Sequence, residues 1–202
     1  MSTARDLLIV TLDVPGSRPV EQGDLSLALA GAELADLLAA GYAGVADDRI
    51  VPGPPPGTGD RLLDEAGAAL VRQAPYESVE DWLWRRGRGL AAAYVAELEA
   101  RGEPAGRRRR WLPAREDRPV PADDTAARRA AGDRWAFHEP VLAALAAALG
   151  IRPEAAGEIA APEDEAVVAV VAAVDGAVTE LEAVRQRRRV EDAAFDNIWR
   201  SP

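Results

Sequence analysis

Apolar positions recur along most of the chain at intervals of three and four, the spacing that makes one face of an α-helix. Leu27, Ala30, Leu34, Leu37 and Leu38 share such a face. Asp24 is placed to cap its start, and Gly41 stands where a helix-ending glycine belongs. Leu62, Leu63, Ala66, Leu70 and Val71 predict a second inward-facing helix, closed by Pro75. Ser78 with Asp81 three residues on has the spacing of a capping box and opens a short helix carrying Val79, Trp82 and Leu83. Gly87 and Gly89 interrupt it; Leu90, Tyr94, Val95 and Leu98 define the next helix, stopped at Gly102. Helical spacing returns from Thr125 to Phe137, and Pro140 suits the first turn of a helix over Val141 to Leu149 that Gly150 ends. Pro162 opens a last long helix with Val167, Val171, Val174, Val178, Leu181 and Val184 inward, and Arg187 to Arg189 complement the negative end of its dipole.

The remaining segments read differently. The run DLLIVTLDV, ended by Pro15-Gly16, fits a short helix or a strand equally well. Val45 and Ile50 flank Asp47-Asp48, which predicts a small hairpin. VPGPPPGTG, from Val51 to Gly59, is a loop by composition, and the proline- and arginine-rich stretch from Gly102 to Asp124 is a long loop or an exposed hairpin around Arg107 to Leu112. The expected fold is mostly α, a helical bundle ringed by amphipathic helices, with one or two small β-hairpins. It forms one domain over 1–202, with its core over about 5–187 and a tail over 188–202. In that tail Phe195, Ile198 and Trp199 can dock on the body or on a partner.

Composition narrows the chemistry. The chain has 202 residues, enough to bury about 70% of its unfolded surface without a disulfide or metal staple. It has no cysteine, which removes disulfides, thiolate zinc sites and cysteine nucleophiles. Net charge is -10, and a uniformly acidic body is repelled by nucleic acid and by anionic lipid alike. Every basic residue is arginine, and alanine makes up about a fifth of the chain, a bias typical of a high-GC bacterial genome. Leu7 to Leu12 is too short for a signal-peptide core, and the longest apolar run, Ala166 to Val174, is well short of the roughly 20 residues a membrane span needs. The expectation is a cytoplasmic protein, peripheral at most, at the inner face of the plasma membrane.

No set of side chains reads as a catalytic centre. His138 is the single histidine and stands at a helix end before Pro140. The carboxylate pairs at Asp47-Asp48, Asp123-Asp124 and Glu163 to Glu165 fall where turns and helix starts use them. The glycines at 53, 57 and 59 lack the Lys-Ser/Thr ending of a phosphate loop. No enzyme activity, cofactor or metal is expected. Two arginine clusters remain. Arg85, Arg86 and Arg88 flank Gly87 between two helices, where converging guanidiniums can hold a phosphate or pair with Glu80, Asp81 or Glu97. Arg107, Arg108, Arg109 and Arg110, followed by Trp111, suit an acidic membrane surface or partner, or a contact between subunits. Trp82 belongs to the core by its helical face; Trp84 points elsewhere and is the candidate exposed contact.

The order of these pieces resembles the Golgi phosphoprotein 3 family in its shorter bacterial form, over nearly the whole chain. DLLIVTLDVPGSRPV is similar to the family's first apolar segment. LSLALAGAELADLLAAGYAGVADDRIV is similar to its helix, glycine turn and small hairpin. TGDRLLDEAGAALV with SVEDWLWRR is similar to its next helix pair, and YVAELEARG to the helix that enters its exposed hairpin. The resemblance implies central helices ringed by shorter ones. It also implies a non-enzymatic peripheral adaptor that binds phosphatidylinositol 4-phosphate and can contact protein cargo. Of the family's headgroup set, counted onto this chain, Arg88 is retained, whereas the other positions fall on Glu21, Ala30 and Ala91. The alternative is a soluble protein-interaction or oligomeric module on the same fold that has lost phosphoinositide binding.

Overall fold

The structure, a computed structural model, describes residues 2–55, 57–102, 125–152 and 160–200, with backbone alone from 193 onward. The Arg107 to Trp111 cluster lies outside the described residues. Among them are eight helices: α1 (Thr3–Asp13), α2 (Gln22–Ala39), α3 (Arg61–Ala68), α4 (Val79–Arg86), α5 (Leu90–Ala100), α6 (Ala126–Ala136), α7 (Pro140–Ala148) and α8 (Glu165–Arg200). One antiparallel hairpin, β1 (Ala43–Ala46) and β2 (Arg49–Pro52), follows α2.

Helix α2 is the axis of the bundle. α1, α3, α4, α5, α7 and α8 all pack on it, so apolar residues cover nearly its whole circumference. Leu34 and Leu37 of the expected face are fully buried, and so are Leu25 and Leu29, which lie outside the single face that sequence spacing picks out. Each such leucine contributes about 1.5–3 kcal/mol relative to an exposed one. The ambiguous first segment is a helix. Ser2 caps it by accepting the Arg5 N–H at 3.4 Å, and the Thr3 N–H donates to Asp36 of α2 at 2.8 Å.

The local signals act as their chemistry requires. In the hairpin, Val45 faces Ile50, and Asp47 and Asp48 take φ of 50° and 59°, the left-handed pair that a tight two-residue turn needs. Ser78 Oγ accepts the Asp81 N–H at 3.0 Å and donates to the Asp81 carboxylate at 2.7 Å, fixing the start of α4. The Glu77 carbonyl accepts the Ile50 N–H at 2.9 Å, which ties the hairpin to the entry of α4. Pro140 is the first residue of α7, whose amides at Val141 and Leu142 are capped by the Glu139 carboxylate.

Three sequence expectations change. Asp24 is not the cap of α2: the chain enters that helix at Glu21, and Asp24 sits a turn inside, buried and paired with Arg18 at 3.4 Å and Arg185 at 2.7 Å. α3 ends at Ala68, so Val71 falls out of helical register and is 38% exposed. α8 starts at Glu165, with Asp164 accepting the Ala166 N–H at 2.8 Å, and runs on through Arg187 to Arg189 to Arg200. Those arginines therefore lie within the helix, not at the end of its dipole.

Candidate functional site

The α4–α5 junction carries the first arginine cluster, and its three side chains go to different places. Arg85 lies over the Trp82 ring, 5.3 Å from its centroid, and grips Glu77 through two bonds of 2.6 and 2.7 Å. Its third donor reaches the Ala69 carbonyl at 3.1 Å. The Glu77 bonds hold the guanidinium pKa above its ordinary value. Arg86 turns inward to Glu33, the fully buried carboxylate of α2, with bonds of 2.7 and 2.9 Å, and to the Leu62 carbonyl at 3.1 Å. The Tyr94 hydroxyl donates to the same Glu33 carboxylate at 3.0 Å.

Burial pushes the Glu33 carboxyl upward, and the Arg86 fork and the Tyr94 hydroxyl oppose that push. Burial, together with the adjacent Glu33 charge, pushes the Tyr94 phenol far up, so it stays protonated. Arg85 and Arg86 are thus satisfied by protein carboxylates through paired, charge-assisted bonds.

Arg88 differs. It is exposed, has no carboxylate partner among the described residues, and lines an open cleft between α2, the α4–α5 junction and α8. α2 contributes Gln22, Gly23, Ser26 and Leu27; the junction contributes Trp84, Gly87, Arg88 and Gly89; α8 contributes Leu181. Two helix N-termini border it, and neither α2 at Glu21 nor α5 at Gly89 has a side-chain cap. Gly89 has φ 71°, a conformation a side chain would strain. Uncapped N-termini carry partial positive charge and favour anions. Ser26 Oγ accepts the Ala91 N–H at 3.1 Å, and its own hydrogen donates to no acceptor among the described residues. Half-buried Trp84 supplies a flat apolar wall with an N–H at its edge. The cleft therefore combines a guanidinium and a hydroxyl that are both without an acceptor among the described residues, two helix ends and an aromatic face.

The other positions counted from the family resemblance are not in that cleft. Ala30 and Ala91 are fully buried: Ala30 accepts the Trp82 indole N–H at 3.1 Å, and the Ala91 amide is held by Ser26. Glu21 is the residue before Gln22 at the cleft rim. Sequence reading missed Gln22, Ser26 and Leu181 as cleft residues. Ser26 has no signal beyond its place on the predicted helix, and Leu181 is 158 residues from Gly23 (181 minus 23), so only the packed bundle brings it near.

Among the described residues no group of His, Cys, Asp and Glu is placed to hold a metal ion, and no helix is long and apolar enough to cross a membrane. No curated protein and no solved structure matches the chain. The family model described as Golgi phosphoprotein 3 (GPP34) matches residues 4–200, nearly the whole length of this helical bundle. The chain belongs to the Golgi phosphoprotein 3 family.

Proposed function

We propose that this chain is a non-enzymatic peripheral binding protein that holds the phosphate of an acidic lipid headgroup, phosphatidylinositol 4-phosphate in the first instance, in the Arg88–Trp84 cleft. The observation that carries the reading is Arg88, the arginine of the junction without a counter-charge among the described residues, beside two helix N-termini that have no side-chain cap. A phosphate monoester has about −1.5 to −2 charge and three acceptor oxygens, which matches a guanidinium, a hydroxyl and helix-end dipoles. Arg85 and Arg86 act through position: pinned to Glu77 and Glu33, they fix the turn from which Arg88 projects. The Arg107–Trp111 segment would add attraction to an acidic bilayer, at about 1 kcal/mol per arginine near the surface. On this reading the protein acts in the cytoplasm, at the inner face of the plasma membrane.

A second reading is a protein-interaction module on the same fold, and it is favoured by the burial of Ala30 and Ala91 where the family resemblance places cationic contacts. Vesicle flotation separates the two. The expected result is flotation with phosphatidylcholine vesicles containing phosphatidylinositol 4-phosphate, weakened by salt and reduced about tenfold or more by Arg88→Gln. Flotation indifferent to the lipid, or unchanged by Arg88→Gln, overturns the headgroup reading and leaves the module.

A further inference from the structure

Helix α8 outruns the body it packs on. Its buried residues run from Val167 to Val178, Leu181 and Val184 are half-buried, and the last side chain tied to the body is Arg185, bonded to Asp24 at 2.7 Å. From Gln186 to Asp192 every residue is exposed. Seven residues make nearly two turns, so no face of this stretch meets the body. The helix continues to Arg200, 15 residues past Arg185 (200 minus 185), or about 22 Å. A helix of about 12–15 residues with nothing beside it is marginal in water.

The charge order of the overhang suits a second copy of itself. Arg187, Arg188 and Arg189 precede Val190, and Glu191 and Asp192 follow. None of the five charged residues has an ion pair among the described residues, and Val190 is 59% exposed. Basic before and acidic after one apolar pivot is self-complementary when two copies run antiparallel about a twofold axis at that pivot. At about 100° per residue, Arg187 and Glu191 both lie on one flank of Val190, about 60° and 100° round, whereas Arg188 lies on the far side. A twofold perpendicular to the two helices brings like flanks together. Arg187 of one copy then meets Glu191 of the second, and the reverse. Within one helix the same two residues are in the less favourable i, i+4 order, cation first, so they are available to a neighbour.

We propose that the α8 overhang is an antiparallel contact between two copies of this chain, centred on Val190 and flanked by reciprocal Arg187–Glu191 pairs. It does not depend on the Arg88 cleft, and stands whether or not a lipid binds.

Sedimentation velocity on the full chain over a range of concentrations tests it. The wild type is expected to dimerise. Arg187→Glu and Glu191→Arg should each weaken the dimer about tenfold or more, and the double swap should restore it to within about threefold. The chain has no cysteine, so Val190→Cys should give a disulfide-linked dimer on mild oxidation, while Arg188→Cys should not. Unchanged melting temperatures confirm that the variants fold. A wild type that stays monomeric, single charge reversals without effect, a double swap that fails to restore the dimer, or equal cross-linking from positions 188 and 190 each overturns the proposal. So does a dimer that survives deletion of residues 186–202.

Discussion

Removing Arg86 tests whether the junction is held by its buried ion pair. Glu33 is 0% exposed and the Arg86 side chain 16% exposed, so the pair lies largely out of water. In Arg86→Met the carboxylate loses both guanidinium bonds and keeps the Tyr94 hydroxyl alone. Breaking a buried pair on one side costs about 3–5 kcal/mol, because the remaining charge is stranded. For a chain of this size that is a fall of about 6–20 °C in melting temperature. Removing both members strands no charge, so Glu33→Leu with Arg86→Met should recover much of the loss, short of what the Leu62 carbonyl and the Tyr94 hydroxyl lose with their partners. Urea denaturation of wild type, both single variants and the double variant gives the coupling energy directly. Single variants that cost less than about 1 kcal/mol, or a double variant as unstable as the sum of the singles, would refute the reasoning.

Two further outcomes follow from packing and titration. Gly31 sits where α2 crosses α8, and a Cβ there would collide with Val174 Cγ2, a stiff β-branched methyl, so Gly31→Ala should destabilise by about 1–3 kcal/mol in a thermal melt. A stable Gly31→Ala would show that the helices can part at no cost. For pH, burial raises Asp6, Glu33 and Asp36 above their ordinary values of 3.8, 4.5 and 3.8, so the stability they contribute is full below those values and is lost as pH rises through the raised ones. Asp64, lowered by its bonds to Thr58, and Glu97, lowered by Arg61 and Arg101, work the other way, and their contribution is lost as pH falls through their depressed values. The melting temperature should therefore rise as pH falls from neutral through the raised values of the three buried carboxylates, and turn down again below the ordinary values of Asp64 and Glu97; a curve that stays flat or falls steadily as pH drops from neutral contradicts the burial of the three carboxylates.

Helices were legible in the sequence where an apolar stripe coincided with a chemical stop or start, as at Ser78, Pro140 and Gly41. Boundaries set by tertiary contact were not. Asp24 has the chemistry of a cap, but Arg18 and Arg185 draw it into the interior, and nothing local announces a partner 161 residues away. The partners of Arg85 and Arg86 were hidden for the same reason. Sequence proximity suggested Glu80, Asp81 or Glu97 as partners, yet Arg86 is claimed by Glu33, 53 residues away on the central helix, and Arg85 by Glu77 at the entry of α4. Adjacent residues on a short helix point in directions about 100° apart, so a run of like charges seldom converges on one ligand. Arg88 stands beyond the end of α4, which is why it alone of the three lines the cleft.

The most direct measurement is a calorimetric titration of a short-chain, soluble phosphatidylinositol 4-phosphate into the full chain and into Arg88→Gln. Without a bilayer, attraction from the Arg107–Trp111 segment drops out and the cleft is tested by itself. Saturable one-site binding by the wild type, lost or weakened about tenfold or more in Arg88→Gln with the melting temperature unchanged, is the expected result. No saturable heat, or equal affinity in the two proteins, would contradict a headgroup site at Arg88.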